Sequence, residues 1–399
     1  MAATLGPRLS QLMAATGRQT KAAVARRLMS TRAIRVLGIE TSFDDTAAAV
    51  VSSDGQILGE SRRPQHAVHE QHGGTMPGLA ANEHLKHVPL VVRGALEAAG
   101  VCVGDLDAVA VTRGPGLPSS LAVGVAAGKT LAAAHGLPLV GVHHMEAHAL
   151  MARMGATDQV HFPYLCLLIS GGHTMTLVAH AVNEYTLLGA TRDDSVGEAF
   201  DKVARELRVP WIDAREGGGA GAALEALAQE GDPQRFAMPM PMSKHDTAKL
   251  LDFSFAGLKA HVRRLSDSAA FDSTSRTDCA DVAAAFQLTA ALHLRKKTAL
   301  ALAHARSTLG VRVKGLVVSG GVACNKTVRA QLQSLASDSR LPLACPPPRL
   351  CADNGVMIAW AGIERLRLGL LDPYTIDFIQ KWPLNDLKRM GYVSRTTSF

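Results

Sequence analysis

Aromatic residues are scarce in this 399-residue chain, at 4%. A surface that grips single strands by stacking successive bases is therefore not signalled. Six cysteines occur (Cys102, Cys166, Cys279, Cys324, Cys345, Cys351), with no Cys-x-x-Cys pair among them. Their scatter argues against a cysteine zinc site or a disulfide framework and suits a reducing compartment. No apolar run reaches the roughly 18 residues a membrane span needs. Neither Gly-x-x-x-x-Gly-Lys-Ser/Thr nor Gly-x-Gly-x-x-Gly is found, so neither a P-loop nor a Rossmann site is indicated. Acid is missing from residues 1–39, and Glu40 is the first carboxylate.

That last absence explains the net charge of +7. Residues 1–39 hold seven basic side chains (Arg8, Arg18, Lys21, Arg26, Arg27, Arg32, Arg35), leaving 35 Lys and Arg against 35 Asp and Glu in the rest. The body is near neutral, so nucleic-acid contact must rest on a local basic patch and on shape. An Arg-rich, acid-free leader with Ser, Thr and Ala throughout has the composition of a mitochondrial transit peptide. Removal is expected between Arg27 and Arg35.

What is present is a series of short apolar runs ending in polar or glycine turns. Residues 34–40, 47–51 and 56–59 read as strands, with Asp54-Gly55 marking a hairpin. Residues 83–99 have the apolar spacing of an amphipathic helix closed by Gly100. Residues 106–112 and 139–142 read as strands flanking a small-residue helix over 119–135. The pattern restarts with strands 164–169 and 174–179 around a glycine turn, which reads as a structural duplication. Helices are expected over 195–207, 222–230, 281–308 and 356–368, with another from about Lys326. Strands are expected over 314–318 and 341–344. A Pro- and Met-rich loop spans 231–247, and the last 25 or so residues read as irregular tail.

The chemistry concentrates at five places. His143-His144-Met145-Glu146-Ala147-His148 follows an apolar run, and the four-residue spacing of His144 and His148 puts both imidazoles on one helix face, where they can share a cation. Alone, such a pair is more often plain polar surface. Asp353, after a proline-stiffened loop, would complete a His-His-Asp set with open positions for substrate, though a lone Asp before a helix is by default an N-cap. Glu146 sits roughly 200° around the helix from His144 and points away from a shared metal, which counts against peptidase chemistry. Ser-Gly-Gly occurs at 170–172 and 319–321, each directly after a strand, where glycine lets backbone approach a sugar or phosphate and amides can face an anion. Asp193 or Asp194 could cap the helix that follows, while Asp201 on its first turns could bind a ribose or an amine.

These motifs stand in a recognisable order. Gly38-Ile39-Glu40-Thr41-Ser42-Phe43-Asp44-Asp45-Thr46, Gly114-Pro115-Gly116-Leu117, the histidine helix, Ser170-Gly171-Gly172-His173-Thr174 and Gly197-Glu198-Ala199-Phe200-Asp201-Lys202 come first. Phe253-Ser254-Phe255-Ala256-Gly257-Leu258-Lys259, Gly320-Gly321-Val322-Ala323-Cys324-Asn325 and Asp353-Asn354-Gly355 follow. Over about 34–370 the chain resembles the tRNA adenosine threonylcarbamoyltransferases, the TsaD family, and with its leader it is similar to the mitochondrial branch. The resemblance implies an α/β, two-lobed actin/Hsp70/sugar-kinase fold with duplicated mixed sheets flanked by helices. The expected organisation is a transit peptide over 1–33, an N-terminal lobe over 34–155, a C-terminal lobe with a helical insertion over 156–370, and a tail over 371–399.

The implied activity is transfer of the threonylcarbamoyl group from threonylcarbamoyl-AMP, made by a separate synthase, to N6 of adenosine 37 in tRNAs reading codons that begin with A. The family's metal ligands fall on His144, His148 and Asp353, for one divalent ion per subunit, zinc or iron. Its substrate loop falls on Leu168, Ile169, Ser170, Gly171 and Gly172, with Asp201 and Asn325 as further contacts. Residues 217–221 read Gly-Gly-Gly-Ala-Gly where the family has a shorter Gly-Gly, and aligning the next helix favours Gly221 with Glu225 over Gly218. Phe43 replaces the family's usual Cys, and Gly78 stands where many members have Glu. No nucleophilic Ser or Cys is required, because AMP is already a good leaving group. A homodimer in the mitochondrion is expected, with tRNA as partner. Two rival readings share this sequence: an ATP-using kinase or ATPase of the same fold, and a non-catalytic tRNA- or nucleotide-binding scaffold.

Overall fold

A computed structural model describes residues 32–65, 68–69, 75–156, 159–210 and 219–390. The expected transit peptide, apart from its last two residues, and Gly218 lie outside them. The described residues divide into two compact units. One runs to Leu150 and resumes at Asp353; the other is Met151–Ala352.

In the first unit, β1 (Arg35–Glu40), β2 (Asp45–Ser52) and β3 (Ile57–Pro64) form an antiparallel meander, and Gly55 takes φ 86° in the turn between β2 and β3. Helix α1 (Pro77–Ala99) begins with proline, whose missing N–H costs nothing at that position, and ends at Gly100 with φ 62°. Then come β4 (Ala108–Gly114), α2 (Pro118–Ala134), β5 (Leu139–His143) and the short α3 (His144–Leu150). The sheet order is β3-β2-β1-β4-β5, with β4 parallel to both β1 and β5. Every residue of β2 and β5 is buried, so both faces of those strands are covered. Leu37, Ile39, Val50, Val109 and Val111 pack with Val91 and Leu137 in the core. Each such aliphatic side chain contributes roughly 1.5–3 kcal/mol on burial.

The second unit repeats this plan. Strands β6 (Tyr164–Ile169), β7 (Thr174–Ala181) and β8 (Glu184–Ala190) form a meander, followed by α4 (Val196–Glu206), α5 (Ala220–Ala228), α6 (Ala256–Ser266) and the long α7 (Arg276–Ser307). After these come β9 (Leu316–Ser319), α8 (Lys326–Asp338) and β10 (Leu343–Ala344). The order β10-β9-β6-β7-β8 matches that of the first sheet when each strand is replaced by its equivalent. The duplication expected from two strand–turn–strand openings is thus present in both sheets. Strand β8 and helix α6 were not anticipated. Leu165, Leu167, Ile169, Phe200, Phe286, Leu316 and Val328 share this unit's core.

At Asp353 the chain returns to the first unit, so the expected C-terminal lobe ending at residue 370 is too long by one helix. A pair of glycines permits the close packing there. Helix α9 (Gly355–Arg367) packs flat on β1 and β2: a Cβ at Gly38 would lie 2.3 Å from Ala359 N, and one at Gly355 would lie 2.5 Å from Ala48 C. Any side chain at either position would lift the helix off the sheet. The expected irregular tail from 371 packs against the first unit over its described part. Ile376, Trp382, Leu384 and Leu387 are buried, Asp372 N donates to Leu139 O at 2.9 Å, and His143 Nε2 lies 2.9 Å from Trp382 O. The segment lacks a period because it is held residue by residue. Among the described residues, no helix is long and apolar enough to cross a membrane.

Candidate active site

All three candidate metal ligands belong to the first unit. Leaving β5, the chain turns straight into α3, which presents His144 and His148 on one face. The loop before α9 presents Asp353. Asn354, not Asp353, caps that helix: its Oδ1 accepts from Met357 N at 2.8 Å. The default capping role is thus taken by the neighbour, and Asp353 is left to face the histidines. Its Oδ1 lies 3.0 Å from His148 Nε2 and 3.5 Å from His144 Nε2. One ligand atom from each of the three residues lies within 4.8 Å of the others.

Behind His144 stands a carboxylate to which the motif order alone gives no role. Glu40, at the end of β1, is fully buried, and its Oε2 lies 3.3 Å from His144 Nδ1. Thr112 Oγ1 donates to the same oxygen at 2.6 Å, and Ser42 N donates to Oε1. Ser42 Oγ is 3.1 Å from His144 Nδ1. A carboxylate that orients the far nitrogen of a ligating imidazole is a common support for a metal site. The signal was in the sequence: one acid ends an otherwise apolar, buried strand.

Charge in this cluster favours a cation. Burial opposes charge on His144, but Asp353 and Glu40 outweigh it and push its pKa up to about 9. Burial raises Asp353 and Glu40, yet His144 in both cases overcomes this and holds each carboxyl below the usual range, with His148 assisting at Asp353. Two carboxylates and two imidazoles at these distances require positive charge among them, supplied by a proton or by a metal. Two imidazole nitrogens and a carboxylate oxygen are a donor set that suits zinc or iron, with positions left for substrate. The residues present therefore fit a divalent ion.

Glu146 points the other way, as its spacing requires. It pairs with Arg365 of α9, and both side chains are fully buried. Nearby, Arg62 grips Asp45 through two hydrogen bonds of 2.7 and 3.2 Å.

The candidate substrate residues lie in the second unit. Leu168 and Ile169 are buried within β6, so they offer backbone only. Ser170 Oγ accepts from Gly172 N at 3.3 Å and His173 N at 3.0 Å. Those two amides are thus engaged inside the turn, not aimed outward as the glycine motif alone suggested. What the turn exposes is the bare backbone of Gly171 and Gly172, with open space where side chains would be. Helix α4 is seated on this turn: a Cβ at Gly197 would lie 2.6 Å from Ser170 O, and Ser195 Oγ donates to Gly171 O. Ser195 is also the N-cap, accepting from Glu198 N. This displaces the expected caps. Asp193 instead receives Phe255 N and Ala256 N at the start of α6, and Asp194 pairs with Lys202 and Lys259.

Asp201 lies on the same helix, and a Cβ at Gly221 would sit 3.6 Å from its Oδ1. Glu225, one turn along α5, accepts from Lys326 N at 2.8 Å. Asn325 caps α8 by accepting from Val328 N and donates to Gln287 Oε1 at 2.8 Å. The structure therefore brings Ser170–Gly172, Asp201, Gly221, Glu225 and Asn325 into one connected set. In it, Glu225 and Asn325 both hold the start of α8.

The family model for TsaD, tRNA N6-adenosine threonylcarbamoyltransferase, matches residues 56–360. The chain is 44% identical over 369 residues to an Arabidopsis thaliana protein named "Probable tRNA N6-adenosine threonylcarbamoyltransferase, mitochondrial", covering 88% of this chain and 75% of that one. It is 45% identical over 356 residues to the tRNA N6-adenosine threonylcarbamoyltransferase of Paramagnetospirillum magneticum, covering 89% and 99%. Among solved structures, HypF of T. kodakarensis superposes with a TM-score of 0.53 at 14% identity, over 84% of this chain and 48% of that one, a likeness of fold alone. Taken with the matched motifs and the repeated sheets, these similarities place the chain in the tRNA N6-adenosine threonylcarbamoyltransferase (TsaD) family.

Proposed function

We propose that this chain transfers the threonylcarbamoyl group from threonylcarbamoyl-AMP to N6 of adenosine 37 in mitochondrial tRNAs that read codons beginning with A. The observation that carries the reading is the approach of His144 and His148 to Asp353, 205 residues further along the chain, at 3.0 Å for the nearer pair. His144, His148 and Asp353 would hold one divalent ion, zinc or iron. When bound, such an ion polarises donor oxygens and offsets negative charge that develops as the anhydride breaks. Glu40 holds the Nδ1 side of His144, so the Nε2 side keeps its aim. In the second unit, the bare Gly171–Gly172 backbone admits a flat adenylate face, and Asp201 supplies a carboxylate for a ribose hydroxyl. Glu225 and Asn325 keep the start of α8 in place beside them. AMP is a good leaving group, so no Ser or Cys nucleophile is assigned.

The mitochondrial setting is supported by the composition of residues 1–39 and by the name of the Arabidopsis thaliana relative. A separate synthase would supply the adenylate, and a second copy of the chain would be its partner in a homodimer, which the mass of the purified protein in solution tests. The deciding experiment supplies purified protein, tRNA and threonylcarbamoyl-AMP with no ATP present, and follows nucleosides by mass spectrometry. Threonylcarbamoyladenosine is the expected product. Modification that requires ATP favours the kinase-like reading, and tRNA binding with no product favours a scaffold.

A further inference from the structure

Three thiols gather in the second unit at a place the proposed reaction does not use. Cys324 ends the turn Gly321–Cys324 after β9, Cys345 directly follows β10, and Cys351 directly follows the turn Pro348–Leu350. Cys324 Sγ lies 3.5 Å from Pro348 O, so it reaches the segment that ends in Cys351. Cys351 Sγ lies 3.5 Å from Pro346 O, and Cys351 N donates at 3.1 Å to Pro348 O, the same carbonyl that Cys324 Sγ reaches, so the two cysteines meet at one turn. Arg329 spans the same segment, donating to Ala323 O and to Pro346 O. With Cys345 it lines an open depression of about 400 Å³.

The pair is asymmetric. Cys324 is partly exposed and Cys351 is buried. The neighbouring Cys351 thiol lowers Cys324 against the effect of burial, with help from Arg329, to about 7, while Cys324 and burial push Cys351 up. Thiolate is the reactive form, so Cys324 is the sulfur an oxidant meets first and Cys351 the one placed to resolve it. Among the described residues, the compact cluster of His, Cys, Asp and Glu is His144–His148–Asp353, and these thiols form none.

We propose that Cys324 and Cys351 form a reversible disulfide on exposure to hydrogen peroxide, and that this bond regulates the chain by tying the turn before Asn325 to the segment that leads into Asp353. In the first step the Cys324 thiolate attacks one peroxide oxygen. The O–O bond breaks, hydroxide leaves and is protonated to water, and Cys324 becomes a sulfenic acid. In the second, Cys351 sulfur attacks the Cys324 sulfur and gives up its proton. The S–S bond forms, the S–O bond breaks, and the hydroxyl leaves with that proton as water. Two thiols lose two electrons, and one peroxide gains them. A dithiol reductant reverses the bond by exchange. Asn325 follows Cys324 directly, and Asp353 follows Cys351 by two residues. Both candidate functional positions therefore feel the tether.

Peptide mapping tests the pairing, because cleavage after Lys314, Lys326, Arg340, Arg349 and Arg365 puts the three cysteines on separate peptides, 315–326, 341–349 and 350–365. Full-length protein is treated with hydrogen peroxide, free thiols are alkylated, and the denatured chain is digested without reductant. The expected product is 315–326 joined to 350–365, removed by dithiothreitol, missing from Cys324→Ser and Cys351→Ser, and retained in Cys345→Ser. Recovery of both peptides alkylated, or 315–326 joined to 341–349, overturns the proposal. This map does not depend on what the chain transfers, so its failure is distinct from failure of the proposed function. In a second measurement, oxidation removes most of the wild-type tRNA modification and reductant restores it, while Cys351→Ser keeps its own reduced-state activity after peroxide. Full activity in disulfide-linked wild type overturns the regulatory half.

Discussion

Arg365 donates to Glu146, and neither side chain has any exposure to solvent. The pair joins the face of α3 opposite the two histidines to the helix whose start carries Asp353. It therefore fixes the distance between the two sources of candidate metal ligands. Removing one partner of such a pair takes the counter-charge from a buried ion and costs about 3–5 kcal/mol, whereas replacing both by apolar groups of similar size costs far less. Glu146→Ala is expected to lower the thermal unfolding temperature sharply. A Glu146→Leu, Arg365→Met double variant is expected to recover most of the loss. A single variant as stable as the wild type would show that packing alone positions α3.

Glu40 supports His144 through Nδ1, and neutralising it tests that support. Glu40→Gln keeps the shape but removes the carboxylate 3.3 Å from the ring. Losses of this kind weaken metal binding by about 10–100-fold. Competition against a calibrated chelator measures the change, and unchanged affinity would leave Glu40 a purely structural acid.

Burial with the neighbouring Lys297 and Lys296 depresses His293 to about 3, and the ring lies against Phe253 and Phe255. In the unfolded chain it titrates near 6.5. Between these values the unfolded state binds a proton that the folded state refuses, so stability is full above about 6.5 and falls as pH drops toward 3. The slope for one such group is about 1.4 kcal/mol per pH unit. Asp372, which burial pushes up to about 6, acts in the opposite sense, gaining stability as pH falls through that value. The difference between wild type and His293→Phe isolates the histidine. The variant should lose less stability between pH 6.5 and pH 4, and parallel curves would refute the assignment.

Gly197 allows α4 to rest on the Ser170–Gly171 turn. A methyl group there would lie 2.6 Å from Ser170 O and 2.8 Å from the Gly171 backbone. Gly197→Ala should therefore displace the turn, raise the KM for the adenylate and leave bound metal unchanged. Equal loss of metal would mean that the damage is general.

Much of this molecule was legible in its sequence because local rules were enough. The spacing of His144 and His148, the strand ending at Ile169 and the Gly100 helix stop each follow from period and turn chemistry. What was hidden depends on pairwise fit. Nothing in the pattern of residues 356–368 says which sheet they cover; Gly38 and Gly355 decide it by letting α9 touch β1 and β2. Residues 371–390 have no period and are fastened by Asp372, Ile376 and Trp382 one at a time. Strand β8 was missed although Asn183, with φ 66°, marks the turn that leads into it. The inward aim of the Gly172 and His173 amides is set by the rotamer of Ser170, which a motif does not carry.

The account turns on whether His144, His148 and Asp353 hold a metal in the working protein. Elemental analysis of natively purified wild type and Asp353→Ala, by inductively coupled plasma mass spectrometry with protein quantified in the same sample, measures this directly. About one zinc or iron per chain in the wild type, and a large loss from the variant, is the expected result. A wild type active in tRNA modification with no divalent metal bound, or a variant that keeps its full complement, would contradict it.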